Sequence, residues 1–578
     1  MAKNFACWPR GWPRSLNYPD LPVQAILEST AKRVPDRIGM IFSGLELTFG
    51  EMVELSKRFS AALIQLGVKK GDRVAIHLPN CPQFAIAYYG LLRAGAVFTP
   101  LSPLLSPREA QHQLSDSGAE TLLSLDLLFS TIRPILENTK VQRIITTSLA
   151  DCFSAINAPL KPIGKIPVPD TLDMATLLAE NRGEAPQVPI DPSEDLAHLA
   201  YTGGTTGLPK AVMLTHFNVV SNVLQVSHWF SGSEPVWEEG VLSSRPPQEA
   251  DEFVKSTTQA DQETALVVVP WFHAMGVVGY LNNQVYSGNT MVVFPRFDAT
   301  EYLKAVWKYR ATMLGGAPQL YIPLVNHPDF SKIDLSSIKV AASGAAPLAR
   351  SVLDRMMQSF SGVVAEGYGL SECTMCATFN PPFRNAVRAG SVGLPLFDTE
   401  IKIVDVATGQ ELPPGQDGEI CIKGPQVMKG YWMRPQETES TLVEGWLLTG
   451  DIGHLDQDGF LYITDRKKDM IIYKGYNVYP RELEEILFTH PAVEQCAVVG
   501  KEDEEVGEAP VAFVKLRQGV QAASEELMEH VNQQVARYKR LREIILIEEI
   551  PVSAAGKVLK KELREWLRER GKKEISKG

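Results

Sequence analysis

The densest concentration of chemical groups in the chain is the run Tyr201-Thr202-Gly203-Gly204-Thr205-Thr206-Gly207-Leu208-Pro209-Lys210. Three glycines and three hydroxyls fill the six positions 202–207, which makes a poor helix and a poor strand. Such a loop exposes backbone N–H groups and hydroxyls with little bulk in the way. That suits a polyphosphate, and Lys210 adds a cation. The spacing is not that of the Walker loop, GxxxxGK(S/T). Pro209 intervenes before the lysine, and Ala211 stands where Ser or Thr would hold magnesium. The loop therefore reads as phosphate-binding, but of another kind.

Other candidate groups are less telling one by one. Cys373 and Cys376 form a CxxC with no second ligand pair at zinc spacing, so they read as small apolar residues beside a loop. His273 follows the apolar run Val267-Val268-Val269 and fits either a satisfied core histidine or the lining of a pocket. Lys557 sits in Gly556-Lys557 and is followed on a helical face by Lys560, Lys561 and Arg564, so alone it reads as a solvated tail lysine. Glu366 and Asp469 read as structural supports.

The elements that must position these groups alternate along the chain. A helix opens at Phe49-Gly50-Glu51, with an apolar stripe through Met52, Leu55, Phe59, Ala62, Leu63 and Leu66, and Gly67 ends it. Residues 73–78 read as a buried strand, 84–94 as a helix and 97–101 as the next strand. The rhythm returns with strands at 266–269 and 290–294 and a helix at 300–309. Such alternation implies βαβ units and largely parallel sheets. Residues 231–262 carry no clear period and read as a surface excursion, a disordered loop. From 400 to 465 short strands and turns suggest a small β-rich subdomain. After the charged stretch Arg466-Lys467-Lys468-Asp469 a compact α+β segment follows, so a domain boundary is expected there, giving domains 1–467 and 468–578.

Bulk properties narrow the class. The 578 residues suggest two or more domains, and 44% apolar with 22% charged residues fits large buried cores. The net charge of -11 argues against nucleic acid as a partner. Seven cysteines, an odd number at low density, point to a reducing compartment. No run has signal-peptide or membrane-spanning character, so a cytoplasmic protein is expected. Peripheral membrane contact and homodimer formation are left open.

In order and spacing, the motifs resemble those of the adenylate-forming superfamily of acyl-CoA synthetases, luciferases and adenylation domains. The 201–210 loop resembles its signature, with Gly203 for a common Ser and Ala211 for a common Gly. Pro270-Trp271-Phe272-His273, Ser343-Gly344-Ala345-Ala346-Pro347-Leu348, Tyr368-Gly369-Leu370-Ser371-Glu372, Thr449-Gly450-Asp451, Asp465-Arg466-Lys467-Lys468-Asp469 and Gly556-Lys557 resemble its further motifs. Ala555 departs from the usual Ser, and Pro551-Val552-Ser553 from the usual P-(K/R)-(S/T). The resemblance spans about residues 25 to 570. It implies an α/β fold: a large N-terminal domain of two α/β sheet subdomains plus a small β-rich subdomain, then a small mobile α+β C-terminal domain.

The resemblance also implies the partners and roles: ATP, Mg²⁺, coenzyme A and a carboxylic acid. Thr202, Thr205, Thr206 and Lys210 would take the β/γ-phosphates, Ser371 the α-phosphate and Glu372 the metal. Tyr368 would stack on adenine, with Gly344, Ala345 and Ala346 along its edge, and Asp451 and Arg466 would reach the ribose. Lys557 would bridge the carboxylate and the α-phosphate, with Lys210 and Glu372 as its catalytic partners. Lys468 aligns with the hinge, and Gly475 and Tyr476 with the coenzyme A tunnel. His273, Val277, Val278, Gly279, Gly315, Gly316 and Ala317 would line the acyl pocket; small and apolar, they suit a chain-shaped cavity.

Gly475-Tyr476-Asn477-Val478-Tyr479-Pro480 is similar to bacterial medium- and long-chain fatty-acyl-CoA ligases, whereas coumarate ligases and luciferases tend to carry Gln for Asn477 and Lys for Ile472. An aliphatic acid is therefore expected. An alicyclic or aromatic acid, an adenylation enzyme loading a carrier protein, a luciferase-like oxidative use and a non-catalytic nucleotide binder are the competing readings.

Overall fold

The computed structural model describes residues 7–151, 164–182, 186–202, 209–246, 257–346, 348, 350–467, 469–474, 476–503, 505–552 and 558–575; at 476, 477 and 571–575 it describes the backbone alone. The chain forms two compact units. The first comprises Met1–Gly203, Leu208–Glu400 and Ile422–Leu447, and the second is built mainly from Ile401–Cys421 and Leu448–Gly578. The molecule is mixed α/β, with a large N-terminal part and a smaller C-terminal one.

Two sheets organise the first unit. One runs, in spatial order, Leu394–Pro395, Thr378–Phe379, Val363–Tyr368, Val340–Ser343, Met313–Gly316, Thr264–Val267, Thr290–Val293, Ile38–Phe42 and Leu45–Thr48. Its six strands from Val363–Tyr368 to Ile38–Phe42 are mutually parallel, and antiparallel pairs close both edges. The other sheet runs Gly430–Tyr431, Lys210–Thr215, Leu196–Thr202, Val97–Pro100, Arg73–His77, Thr121–Leu125, Arg143–Thr147 and Leu172–Asp173. The alternation read from sequence is thus realised as parallel strands joined by helices. The helix Phe49–Gln65 begins on a capping box: the Thr48 hydroxyl accepts from the Glu51 amide at 3.1 Å, and Glu51 accepts from the Thr48 amide at 2.9 Å. Met52, Leu55, Phe59, Ala62 and Leu63 of its expected stripe are buried.

The excursion at 231–262 differs from the expected disordered loop. Glu234–Glu238 and Val241–Arg245 pair as an antiparallel hairpin around Glu239 and Gly240, whose φ values of 52° and 72° make a turn with both central residues left-handed. The hairpin is anchored: the Leu242 amide donates to the Ser29 hydroxyl at 3.0 Å, and Arg33 donates to the Leu242 carbonyl at 3.1 Å. Gly240, flanked by the apolar pairs Val236-Trp237 and Val241-Leu242, was the available signal, masked by the polar run that follows. Residues 247–256 of the excursion lie outside the described residues.

The second unit contains a β-rich part and an α+β part. In the first, Glu400–Val404, Gly418–Lys423, Trp446–Leu455 and Leu461–Arg466 lie side by side. In the second, the long strands Val493–Asp503 and Gly507–Leu516 pair antiparallel. Their side chains alternate between two cores. Cys496, Val498, Ala512 and Val514 pack with Leu483, Leu487, Leu527 and Val531 of two helices on one face. Ala497, Val499, Val511 and Phe513 pack with Leu563 and Leu567 of the helix Lys560–Ile575 on the other. A sheet covered on both faces reads as an unbroken apolar run, which is how Cys496-Ala497-Val498-Val499 appears.

Candidate active site

The two arms of the glycine- and threonine-rich loop are adjacent antiparallel strands, with Tyr201 opposite Ala211 and Thr202 opposite Lys210. Both arms are tied to the helix Pro107–Ser117. The Tyr201 hydroxyl donates to Asp116 at 3.0 Å and to the Gln113 carbonyl at 3.1 Å, and His112 Nε2 lies 3.1 Å from the Pro209 carbonyl. Burial and then Asp116 push the Tyr201 pKa far up, so it stays a donor. The loop tip, with Thr205 and Thr206, lies outside the described residues.

Lys210 opens the second arm. Its ammonium lies 3.7 Å from Glu437, both side chains being 40% exposed, and 5.3 Å from the centre of the Tyr431 ring. A half-exposed pair at that distance holds the lysine only weakly, so the cation stays available to an anion. Tyr431 also donates its hydroxyl to Glu372 at 2.9 Å. Burial first, and then the Glu372 carboxylate, raise the Tyr431 pKa, which keeps that proton in place. One aromatic side chain therefore touches both the cation read as phosphate-binding and the carboxylate read as metal-binding. Sequence reasoning missed it: Gly430–Tyr431 is a two-residue strand added to the edge of Lys210–Thr215, more than two hundred residues away in sequence.

Tyr368 ends the strand Val363–Tyr368, and Ser371 and Glu372 lie in the 3₁₀ turn Ser371–Cys373 that follows. The turn is fixed by main-chain bonds: Ala377 donates to the Tyr368 carbonyl at 2.8 Å and Met428 to the Glu372 carbonyl at 2.8 Å. Thr374, at φ 65°, is forced into the left-handed region, and its hydroxyl donates to the Gln426 carbonyl at 2.7 Å. Cys373 in this turn and Cys376 just after it are buried, their thiols directed to the carbonyls of Leu370 and Thr378. Gly344, Ala345 and Ala346 leave the end of the neighbouring strand Val340–Ser343, and Ala345 holds φ 68° in the open. Glu366 supports this loop by accepting from the Leu348 amide at 3.0 Å.

Beyond the strand Thr264–Val267, the His273 carbonyl accepts from Val277 at 2.9 Å and the His273 ring lies 4.9 Å from that of Phe272. Met275–Asn282 is a π-helix carrying the buried Val277 and Val278. Gly315 and Gly316 are buried in the strand Met313–Gly316, next to Ala342 and Ser343.

In the second unit Asp451 and Arg466 face each other on paired strands, with Arg466 Nε 3.1 Å from the Asp451 carboxylate. Glu419 beneath them accepts from the Gly450 amide at 3.1 Å and from Lys467 at 2.9 Å. Thr449 donates to the Ile420 carbonyl at 2.7 Å. Lys468, Gly475 and Lys557 lie outside the described residues, and Tyr476 opens the strand Tyr476–Val478. A largely shielded ionic cluster follows: Lys560 pairs with Glu484 at 2.8 Å and Arg564 with Asp469 at 2.9 Å. Burial opposes the charge of Lys560, but Glu484, Asp465 and Asp469 outweigh it and raise its pKa. Burial lifts the Asp465 carboxyl to about 6.

For Mg²⁺ the donor chemistry fits. Glu372 offers a hard carboxylate oxygen at a half-buried position, and this ion is held by one or two carboxylates together with phosphate oxygens.

A twice-sheeted first unit with a glycine- and threonine-rich loop, followed by a smaller α+β unit, is the architecture of AMP-binding enzymes, and the chain belongs to that family. The AMP-binding enzyme family matches residues 27–432, and the AMP-binding enzyme C-terminal domain matches residues 482–557. The chain is 38% identical to a long-chain-fatty-acid–CoA ligase of Bacillus subtilis (strain 168), over 97% of each protein. It is 35% identical to 4-coumarate–CoA ligase 2 of Oryza sativa subsp. japonica, over 94% of this chain and 92% of that one. The crystal structure of ATP-bound MatB from Rhodopseudomonas palustris superimposes with a TM-score of 0.79 at 27% identity, covering 94% of this chain and 99% of that one.

Proposed function

We propose that this protein is an AMP-forming long-chain fatty acid–CoA ligase. The carboxylate oxygen attacks the α-phosphorus of ATP and pyrophosphate leaves; the thiol sulfur of coenzyme A then attacks the acyl carbon, AMP leaves and the thiol proton passes to solvent. The observation that carries the reading is the convergence of Lys210 and Glu372 on Tyr431, beside the arms of a loop suited to a triphosphate. Two anions must meet at phosphorus, and this set supplies a cation and a carboxylate able to hold a metal. Mg²⁺, when bound at Glu372, neutralises the pyrophosphate leaving group. The full-length likeness to long-chain-fatty-acid–CoA ligases supports the choice of acid.

In this reading Lys210, Thr202, Thr205 and Thr206 hold the β/γ-phosphates, and Ser371 the α-phosphate. Tyr368 and Gly344 to Ala346 take the adenine, and Asp451 and Arg466 the ribose. Lys557 guides the acid's carboxylate to phosphorus, and His273, Val277, Gly315 and Gly316 line the acid's path. Lys468 serves as the hinge between half-reactions, at the start of a domain running 468–578, and Gly475 and Tyr476 border the entry of coenzyme A. The protein works in the cytoplasm, where ATP and coenzyme A are supplied; light scattering with and without lipid vesicles reads homodimer formation and peripheral membrane contact.

The test is a panel of straight-chain, alicyclic and aromatic acids with ATP and coenzyme A. AMP release greatest with straight-chain acids is the expected result. Release of ADP would overturn the ligase reading. The likeness to a 4-coumarate–CoA ligase favours aromatic acids as the second reading, and a maximum on those acids would establish it.

A further inference from the structure

The segment Met275–Asn282 is a π-helix, in which the backbone bond runs from residue i to i+5. That period places Met275 and Tyr280, five apart, on one face. The two reach a glycine in the strand Met313–Gly316 and one just past the end of the neighbouring strand Val340–Ser343. A Cβ built on Gly344 would meet Met275 Cε at 3.5 Å, an ordinary contact. A Cβ built on Gly315 would meet the Tyr280 hydroxyl oxygen at 1.6 Å and Cζ at 2.0 Å. Tyr280 thus fills the side-chain position that Gly315 leaves open, and only glycine permits it. Gly315 lies one strand over from Ala342, two residues before Gly344.

The far end of the π-helix is held rigidly. Asn282 donates to the Val277 carbonyl at 2.8 Å and to the Tyr88 hydroxyl at 2.8 Å, and accepts from Tyr89 at 2.9 Å. The Tyr88 hydroxyl lies 2.7 Å from His198 Nε2, on the strand that leads into the glycine- and threonine-rich loop. All four side chains are buried. Movement at Tyr280 is therefore a matter of its own ring, not of the helix that carries it.

We infer that Tyr280, seated on Gly315, sets the depth of the acid pocket. The inference rests on the proposal that this chain activates a carboxylic acid. The acid's carboxylate belongs at the nucleotide end, marked by Gly344 and Met275, so its tail runs along the π-helix face towards Tyr280. The phenol ring ends that path, and longer acids enter only as the ring leaves Gly315.

The experiment measures kcat/KM across saturated acids from hexanoate to stearate for the full-length enzyme and for Tyr280→Ala, Tyr280→Leu, Gly315→Ala and the Tyr280→Ala/Gly315→Ala pair. Both Tyr280 variants should raise the ratio of stearate to decanoate by about tenfold. Gly315→Ala should raise it as well, because the new methyl unseats the ring that ends the path, and the paired variant should match the profile of Tyr280→Ala. Ratios within one variant are independent of the fraction folded. Unchanged ratios in both Tyr280 variants would overturn the inference, as would a Gly315→Ala effect that persists without Tyr280. If the native enzyme accepts aromatic acids alone, the aliphatic reading fails, and the same variants read depth on benzoate against cinnamate. A raised preference for cinnamate then supports the role of Tyr280, and an unchanged one overturns it.

Discussion

Two lysine sites, one in each unit, hold their charges in opposite ways. In the first, Lys210 and Glu372 are half-buried and are joined through a neutral ring, with a 3.7 Å ion pair as the lysine's other support. In the second, three residues after Lys557, Lys560, its side chain only 14% exposed, is surrounded by Glu484, Asp465 and Asp469 and closes an ion pair at 2.8 Å. Loosely paired charges keep free energy available for an incoming ion. Tightly paired buried charges have already used it, and removing one partner leaves the other stranded in low dielectric. The contrast teaches that neither charge nor nearness to a motif identifies a working lysine; the quality of its existing partners does.

The largest effect should come from Lys557→Ala. Acyl-AMP formation should fall about 10³-fold, while thioester formation from supplied acyl-AMP continues near the native rate. Equal loss in both half-reactions would remove the division of labour. Next, Lys560→Met should cost about 3 kcal/mol of stability by stranding Glu484, read as a lower urea midpoint, with steady-state kinetics of the folded fraction near native. An unchanged midpoint would erase the contrast between the units.

A smaller effect is expected from Tyr431→Phe. The ring beneath Lys210 stays but the hydrogen bond to Glu372 goes, so the Mg²⁺ concentration for half-maximal rate should rise about tenfold. A rise in the KM for the acid with no change in Mg²⁺ dependence would break the link drawn through Tyr431. The smallest is a pH effect. Because Asp465 titrates at about 6 in the folded chain against 3.8 ordinarily, its contribution is full below the lower value and is lost as pH rises through the upper one. The stability difference between native and Asp465→Asn protein should therefore slope between pH 4 and 6 and level above it. A flat difference in urea midpoints across that window would show that the carboxyl is not held protonated.

Much of this was legible beforehand because local rules wrote it. The helix opening at Phe49, the stripe from Met52 to Leu63 and the strands beginning at Arg73, Val97 and Thr290 emerge with ends moved by a residue or two. The hairpin at 234–245 did not show, because its turn residues Glu239 and Gly240 sit in a polar stretch and its anchor, Ser29, is remote in sequence. The π-helix at 275–282 was equally hidden. Its widened turn depends on the buried Asn282 amide and its tyrosine partners, which no periodicity reports.

By itself, the sequence determined which residues can do chemistry and in what order they come, since a glycine- and hydroxyl-rich run, a lysine or a carboxylate is a matter of residue type. Only the tertiary structure decided which of them share a partner. Tyr431 reaches Lys210 and Glu372 because a two-residue strand docks on a distant edge, and Tyr280 fits because Gly315 has no side chain. Those choices depend on contacts between residues far apart along the chain, and packing, unlike propensity, is settled only when the chain has folded.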